Sequence, residues 1–209
     1  MKKIVFTTLI CMMGLVGCSK SEAPKTETTN NGTNEQTTSK PVEQQTSQPT
    51  EEEIKQKLRA VSLPEFIDQL KPQMEDTLNK HPESAGMLAY FMEIKDIKLS
   101  DINKLPATTR GKILKDSEAE KGKKLCINGS IIQISADRSG GFSAYTGIIS
   151  NSSFEPIMFI ALGDTGELEA QSNARFCGVT VGKTSYSNTG GGESTAPYVV
   201  GMFDLPANR

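Results

Sequence analysis

KKLCINGSIIQISA, residues 123–136, has the apolar spacing of a β-strand and carries a glycine near its middle. A glycine inside a strand often marks a bulge or a bend, because it has no side chain to pack and lets another backbone come close. The stretch therefore predicts a strand that bends or bulges at Gly129. Its apolar residues are Leu125, Ile127, Ile131, Ile132 and Ile134.

Four further strand-like segments follow, separated by turn residues. They are RSGGFSAYTGIISN at 138–151, FEPIMFIAL at 154–162, RFCGVTVGKTSYSN at 175–188 and STAPYVVGMFDLP at 194–206. A longer connector, GDTGELEAQSNA at 163–174, separates the third strand from the fourth. Five strands with this spacing predict the five-stranded Greek-key barrel of the OB-fold. A small barrel of the SH3 type is the alternative.

The entrance to the first strand also carries a family resemblance. LKDSEAEKGKKLCINGSIIQI, residues 114–134, resembles the start of the tRNA-anti-like OB domains of many bacterial envelope lipoproteins. In those domains a short helix runs into Gly-Lys, here Gly122 and Lys123, and then into a first strand broken by a glycine, here Gly129. The resemblance covers roughly residues 110–206 and implies an OB-fold without catalytic residues. The nucleic-acid activity in the family name belongs to cytoplasmic relatives.

Residues 51–108 predict a helical segment ahead of the barrel, which makes the fold class α+β. EEEIKQKLRAV, residues 51–61, places acidic residues first and basic ones later, as the helix dipole favours. A further helix should begin at Pro82, and a short one should follow a cap at Thr108 or Thr109. We expect these helices to pack on the barrel, residues 109–209, because they hold too few apolar residues for a core of their own.

Between the helix at residues 51–61 and the helix that begins at Pro82, the sequence predicts a further helix that a proline interrupts. Ser62 and Glu65 have the spacing of a capping box, and Pro72 should kink or split the helix that follows. Apolar residues with helical spacing are Leu63, Phe66, Ile67, Leu70, Met74 and Leu78.

The first twenty residues, MKKIVFTTLICMMGLVGCSK, have the charged start and short apolar core of a secretory signal. Residues 15–18, ending in Cys18, resemble the lipobox of bacterial lipoproteins. This resemblance implies cleavage after residue 17, a lipid on Cys18 and a location in the bacterial cell envelope. Ser19 fits sorting to the outer membrane, facing the periplasm. An ordinary secretory signal is the alternative.

Residues 18–50 predict a disordered linker behind the lipidated cysteine. From Ser19 onward the segment consists of small, polar, charged and proline residues, with Ala23 and Val42 as its aliphatic ones. Such a segment buries too little apolar surface to offset the entropy lost on ordering. We expect it to act as a tether between the membrane and the folded part.

Cysteine use predicts a disulfide. Cys11 would leave with the signal peptide and Cys18 would carry lipid, so Cys126 and Cys177 remain in an oxidising compartment. Each lies early in its strand, and the first and fourth strands of an OB-fold are antiparallel. The pair therefore requires strands that are offset or strongly coiled. Two reduced, buried cysteines are the alternative.

We identify no catalytic residue, metal site or cofactor site in the sequence. CGVTVGKTS, residues 177–185, falls short of a phosphate-binding loop, because Cys177 replaces the first glycine and the residues favour a strand. The one histidine, His81, is expected to be a solvated cap beside Pro82. The acidic connector around Asp164 is expected to be solvated. The net charge of −2 gives no basic surface, so nucleic-acid binding is not expected.

The function predicted by these observations is that of a non-enzymatic binding module for another envelope protein or a cell-wall component, attached to the membrane by its lipid. The alternatives are a structural or stress-related lipoprotein without a discrete ligand, and an envelope hydrolase or an enzyme inhibitor or immunity protein. OB-folds engage ligands through the loops joining strands one to two and four to five. Candidate ligand-binding residues in and beside those loops are Arg138, Tyr145, Tyr186, Ser187 and Asn188.

Overall fold

The computed structural model describes residues 50–188 and 190–209. The predicted signal peptide, the predicted lipidation site Cys18 and the linker up to residue 49 lie outside these described residues, and they stay predictions. The described residues all fall within one contact unit, Ser47–Arg209.

Each of the five predicted strands is present. They follow a short first strand, and in chain order the strands are β1 (Thr77–Leu78), β2 (Lys124–Asp137), β3 (Ala144–Ser150), β4 (Pro156–Ala161), β5 (Asn173–Ser187) and β6 (Glu193–Phe203).

The pairing of β2 to β6 closes a ring. β2 is antiparallel to both β3 and β5, β3 is antiparallel to β4, β4 is parallel to β6, and β6 is antiparallel to β5. A five-stranded Greek-key ring with one parallel contact, between its third and fifth strands, is the arrangement of the OB-fold. The prediction of an OB-fold-like barrel is therefore confirmed.

The bend in β2 lies where the sequence predicts it. Residues 124–130 of β2 pair with β5, whereas residues 130–137 pair with β3, with a register shift between Ile131 and Gln133. At Gly129 the backbone of β3 comes so close that a Cβ atom would lie 2.1 Å from the carbonyl oxygen of Ser150. Only glycine permits this approach, so Gly129 allows β2 to pair with β5 along its first half and with β3 along its second half.

The helices precede the barrel and cover part of it. They are α1 (Glu51–Ala60), α2 (Leu63–Leu70), α3 (Glu83–Ile94), α4 (Leu99–Ile102), α5 (Arg110–Lys115) and α6 (Ser117–Glu120), with 3₁₀ turns at Lys71–Gln73 and Pro206–Asn208. Thr109 caps α5, as predicted, by accepting a hydrogen bond from the Lys112 N–H. Within the described residues, no helix has both the length and the apolar character needed to cross a membrane.

The predicted second helix is shorter than its apolar spacing suggested. α2 ends at Leu70, and Pro72 lies in the 3₁₀ turn that follows, because proline supplies no N–H to continue the helix. Leu78 belongs to β1, which pairs in parallel with β5, and its side chain is 58% exposed. The assignment of Leu78 to the apolar face of a helix was therefore wrong.

Two apolar cores hold the fold together. The barrel interior is built around Phe159, Phe176 and Phe203, whose ring centroids lie 5.1–5.4 Å apart. A second core lies between the helices and the outer faces of β4, β5 and β6, where Leu88 and Phe91 of α3 are fully buried. Burying such side chains contributes roughly 1.5–3 kcal/mol each. The expectation that the helices pack on the barrel is confirmed.

Candidate functional site

The predicted disulfide is present between Cys126 and Cys177. The two residues are direct partners in the β2–β5 ladder, and their sulfurs lie 2.07 Å apart. Two cysteines that each lie early in antiparallel strands can pair here because β5 is offset relative to β2. The residues of β5 from Thr180 to Ser187 extend beyond the start of β2 and pair with β6. The disulfide thus joins two barrel strands on the side that faces the helices.

The structure does not gather the predicted ligand-binding residues into one site. Tyr186 pairs with Ser194 at the start of β6. Arg138 is exposed and directly follows β2. The end of β2 pairs with the start of β3, which pairs with the end of β4, and the end of β4 pairs with Gly201 near the end of β6. The two predicted loops therefore lie at opposite ends of β6. A joint site of an aromatic ring, an amide and a guanidinium is not formed.

Two of the predicted residues have structural roles. Asn188 holds its own hairpin loop, since its Oδ1 accepts hydrogen bonds from the N–H groups of Gly190 and Gly192, each at 3.0 Å. Tyr145 is partly buried and packs against the core of the barrel interior. Neighbouring Ser187 is exposed beside its partner Glu193. Ligand contact by any of these residues stays a prediction.

The most unusual surface residue is Phe154, at the tip of the β3–β4 turn. Its side chain is 89% exposed, and its backbone has the positive φ of 58° that favours glycine. A left-handed backbone costs a residue with a side chain about 1–2 kcal/mol. Strained residues of this kind cluster at functional sites, where the strain is part of how a group is presented.

Side chains on both flanks hold the turn that carries Phe154. Asn151 Oδ1 accepts hydrogen bonds from the N–H groups of Ser153 and Glu155, both at 3.0 Å, and Asn151 Nδ2 donates to the Glu155 carboxylate at 2.9 Å. From α5, Arg110 Nε donates to the carbonyl oxygen of Pro156 at 3.2 Å. The turn is therefore preorganised, and the ring of Phe154 is held out in solvent.

A concave surface lies on each side of Phe154. We call the first the amide groove, with a volume of about 650 Å³; its polar lining is Asn128, Ser130, Ser150, Asn151, Ser152, Asn173 and Arg175. The second, the apolar groove, has a volume of about 470 Å³ and is lined by Arg110, Ile132, Ile148, Ser150, Phe154, Pro156, Tyr186, Ser194 and Thr195.

The amide groove lies between β2, the β3–β4 turn and the start of β5, and the apolar groove lies between β2, the end of β3 and the start of β6. Ile132 is 57% exposed there, so the apolar groove offers more than one accessible apolar side chain. Tyr186 is the predicted residue that the structure places in this region. We call the two grooves and Phe154 together the Phe154 face.

Sequence reasoning missed Phe154 because it was assigned to the start of the third strand. The signal that could have identified the turn is the run Asn151-Ser152-Ser153, since Asn and Ser between two apolar runs mark a turn. Nothing in the sequence pattern reveals the positive φ of a phenylalanine, a conformation uncommon for bulky residues.

Other sequence features lie away from this surface. Gly182, Lys183 and Thr184 lie inside β5, so the near match to a phosphate-binding loop is part of a strand. Lys121 is buried, and its Nζ donates to the Met74 carbonyl oxygen at 2.6 Å. Among residues 50–188 and 190–209, no group of three or more His, Cys, Asp and Glu side chains is placed to hold a metal ion.

His81 has a partner that the sequence did not indicate. It is exposed, as expected, but its Nδ1 is hydrogen-bonded to the hydroxyl of Tyr198, and the residue that caps α3 is Pro82. Burial, and secondarily the nearby charge of Asp137, raises the pKa of the Tyr198 hydroxyl, so this hydroxyl stays protonated. The expectation that His81 is solvated is therefore confirmed, whereas the expectation that it caps the helix was wrong.

Comparison with known proteins supplies no family. No family model matches the chain, and no curated protein matches it. Among solved structures, it is similar to Rim1, a mitochondrial single-stranded DNA-binding protein from S. cerevisiae, with 12% identity and a TM-score of 0.28 over 43% of this chain and 98% of that chain. The description of the fold as OB-fold-like rests on the strand order of β2 to β6.

Proposed function

We propose that this chain is a non-enzymatic binding module of the bacterial cell envelope and that the Phe154 face contacts its ligand. The observation that carries the proposal is Phe154, an apolar ring that is 89% exposed on a left-handed backbone held by Asn151. Stability alone would favour glycine or asparagine at this position. A ring kept there against that preference fits a contact residue.

The chemistry of the amide groove favours a cell-wall glycan as the ligand. Asn128, Asn173 and Arg175 are exposed at its edge, and their side chains offer amide and guanidinium groups to hydroxyl and amide partners. An aromatic ring beside such groups covers the apolar face of a sugar while the polar groups hydrogen-bond its edge. Lipid attachment through Cys18 would hold the module at the membrane, within the reach of its linker.

Sedimentation with isolated cell-wall material tests this function. Purified full-length protein should pellet with cell walls of the producing cells, and Phe154→Ala should lower the bound fraction at least about fivefold, as expected for the loss of a hot-spot aromatic. Ile54→Ala is the matched control, because Ile54 is another exposed apolar residue, on α1, at 40% exposure. Equal retention of Phe154→Ala and wild type would show that this surface does not bind the cell wall.

A further inference from the structure

A separate cleft lies between α3 and the loop that joins β2 to β3. Its volume is about 400 Å³, within the range of small-molecule sites. Ala89, Ala144 and Ile160 are buried and form its floor, while Met87 and Tyr90 of α3 face Phe142 of the loop. The cleft is lined mainly by apolar groups, and it shares no residue with the Phe154 face.

One carboxylate, that of Asp137, lines this apolar cleft. Its Oδ1 accepts hydrogen bonds from the N–H of Ser139 at 2.9 Å and from the Ser139 hydroxyl at 2.7 Å. In the described part of the chain, no donor or cationic side chain pairs with its other oxygen, Oδ2. The hydrogen bonds from Ser139 are the main cause that lowers the pKa of Asp137, so the group carries a full negative charge at neutral pH.

Two aromatic rings line the same cleft. The ring centroids of Tyr90 and Phe142 lie 6.2 Å apart, with the ring planes inclined at 45°, so they form adjoining walls. Aromatic rings offer a large apolar surface against which an aliphatic chain can pack. Met87 adds a flexible apolar side chain that is 44% exposed at the mouth.

These groups limit what can fill the cleft. A purely apolar ligand would remove water from the unpaired oxygen of Asp137 without replacing its hydrogen bonds, which is costly for a charged group. A ligand with an ammonium group restores those bonds and adds an ion pair with the carboxylate. Its aliphatic part then covers Ala144 and Ile160 on the floor.

We propose that the cleft between α3 and the β2–β3 loop binds an alkylammonium group, with the ammonium at Asp137 and the aliphatic chain against Tyr90 and Phe142. Such a group occurs on free aliphatic amines and on lysine side chains of peptides. The proposal is independent of ligand binding by the Phe154 face.

The test compares a cation with its neutral counterpart. Calorimetric titration of the full-length protein at pH 7 should show pentylammonium binding about tenfold more tightly than 1-pentanol, since a hydrogen bond to a charged group is worth more than a neutral one. Asp137→Asn should lower pentylammonium affinity about tenfold and leave 1-pentanol unchanged. Asp164→Asn is the charge-matched control, because Asp164 likewise accepts a backbone N–H in a turn, on another loop. Equal affinities of the two ligands, or equal effects of the two variants, would overturn the proposal.

A second pair of variants tests the location without altering charge. Gly86 lines the cleft on α3, and a Cβ atom there would meet nothing within 4 Å, so Gly86→Leu should fold and fill the cleft. Gly111 on α5 is equally open, which makes Gly111→Leu the control. Gly86→Leu should abolish binding of both pentylammonium and 1-pentanol, and retained binding in that variant would place the ligand elsewhere.

The source of the ammonium is decided by a third ligand. Nα-acetyl-lysine methylamide carries on a peptide backbone the four methylenes and terminal ammonium group that pentylammonium also contains. Affinity equal to that of pentylammonium supports the cleft as a receptor for lysine side chains. Much weaker binding, with pentylammonium still dependent on Asp137, supports free amines as the ligands.

Discussion

Cys126 lies directly opposite Cys177 in the β2–β5 ladder, and their disulfide closes a sequence separation of 51 residues. Cys177 also belongs to the core between the barrel and the helices, where it is 1% exposed. One covalent bond therefore fixes the pairing of two barrel strands and supports the surface on which the helices pack.

We expect loss of this disulfide to destabilise the fold strongly. A loop of this length contributes about 4 kcal/mol in the chain-entropy relation, so the double variant Cys126→Ala/Cys177→Ala should lose about that free energy of unfolding. Chemical denaturation followed by circular dichroism measures the change. A wild-type protein whose unfolding midpoint is the same with and without reductant would contradict the assignment.

Phe154 allows stability and binding to be separated. Replacing Phe154 by glycine removes the strain of a side chain at φ 58°, so the free energy of unfolding should rise by about 1 kcal/mol. Phe154→Ala keeps a Cβ atom on the strained backbone and should give little or no gain. Both variants should lose cell-wall binding to the same extent.

Thermal unfolding and sedimentation on the same samples check this prediction. A Phe154→Gly variant that is less stable than wild type would show that the ring stabilises the turn and would contradict the inference from backbone strain; cell-wall binding retained by both variants would show that the ring is not a contact residue.

The overall fold could be predicted from sequence because strand patterns are local. The apolar run around Ile157 and Phe159 and the glycine at position 129 are visible residue by residue, and the barrel follows from the order of such segments. Leu78 was misassigned because helical spacing continued past Pro72, whereas pairing with β5 determined the observed strand. Tertiary pairing of this kind leaves little trace in local sequence.

The candidate site was less predictable for a different reason. Arg138 and Tyr186 were grouped because OB-fold loops often act together, but their separation depends on the register of β2 to β6. The exposure of Phe154 depends on the positive φ of its backbone. The cleft that contains Asp137 is formed partly by α3, which is distant from Asp137 in sequence. Register and packing between segments are set by the whole chain.

Gly129 should tolerate no side chain. A Cβ atom would lie 2.1 Å from the Ser150 carbonyl oxygen, which is backbone and cannot rotate away. We expect Gly129→Ala to cost about 2–3 kcal/mol, within the range for overpacking. Gly141→Ala, at a position with open space but a positive φ of 78°, should cost about 1 kcal/mol from backbone strain alone. Urea denaturation of both variants gives the difference, and equal losses would argue against the close approach.

Acid should weaken the fold partly through Asp101. The hydrogen bond from Lys104, followed by that from the backbone N–H of Lys98, lowers the pKa of this carboxyl in the folded state. The unfolded state therefore takes up its proton first, so the stabilisation is present above the ordinary aspartate pKa of about 3.9 and is lost as the pH falls through the lower folded value. Asp101→Asn should lose less free energy of unfolding than wild type between pH 7 and pH 3, measured by urea denaturation. Identical losses would exclude this contribution.

Anchoring through Cys18 would place the two proposed binding surfaces at the membrane. If the lipobox-like residues 15–18 direct lipidation, the mature protein should fractionate with membranes and incorporate labelled palmitate. More than one acyl chain on Cys18 would give nearly permanent attachment, because each buried methylene adds about 0.8 kcal/mol. Cys18→Ser should abolish the palmitate label, whereas Cys11→Ser, a matched cysteine change within the predicted signal peptide, should leave it intact. Palmitate that remains on the Cys18→Ser protein would show that lipid is attached elsewhere, and an unlabelled wild-type protein would favour an ordinary secretory signal.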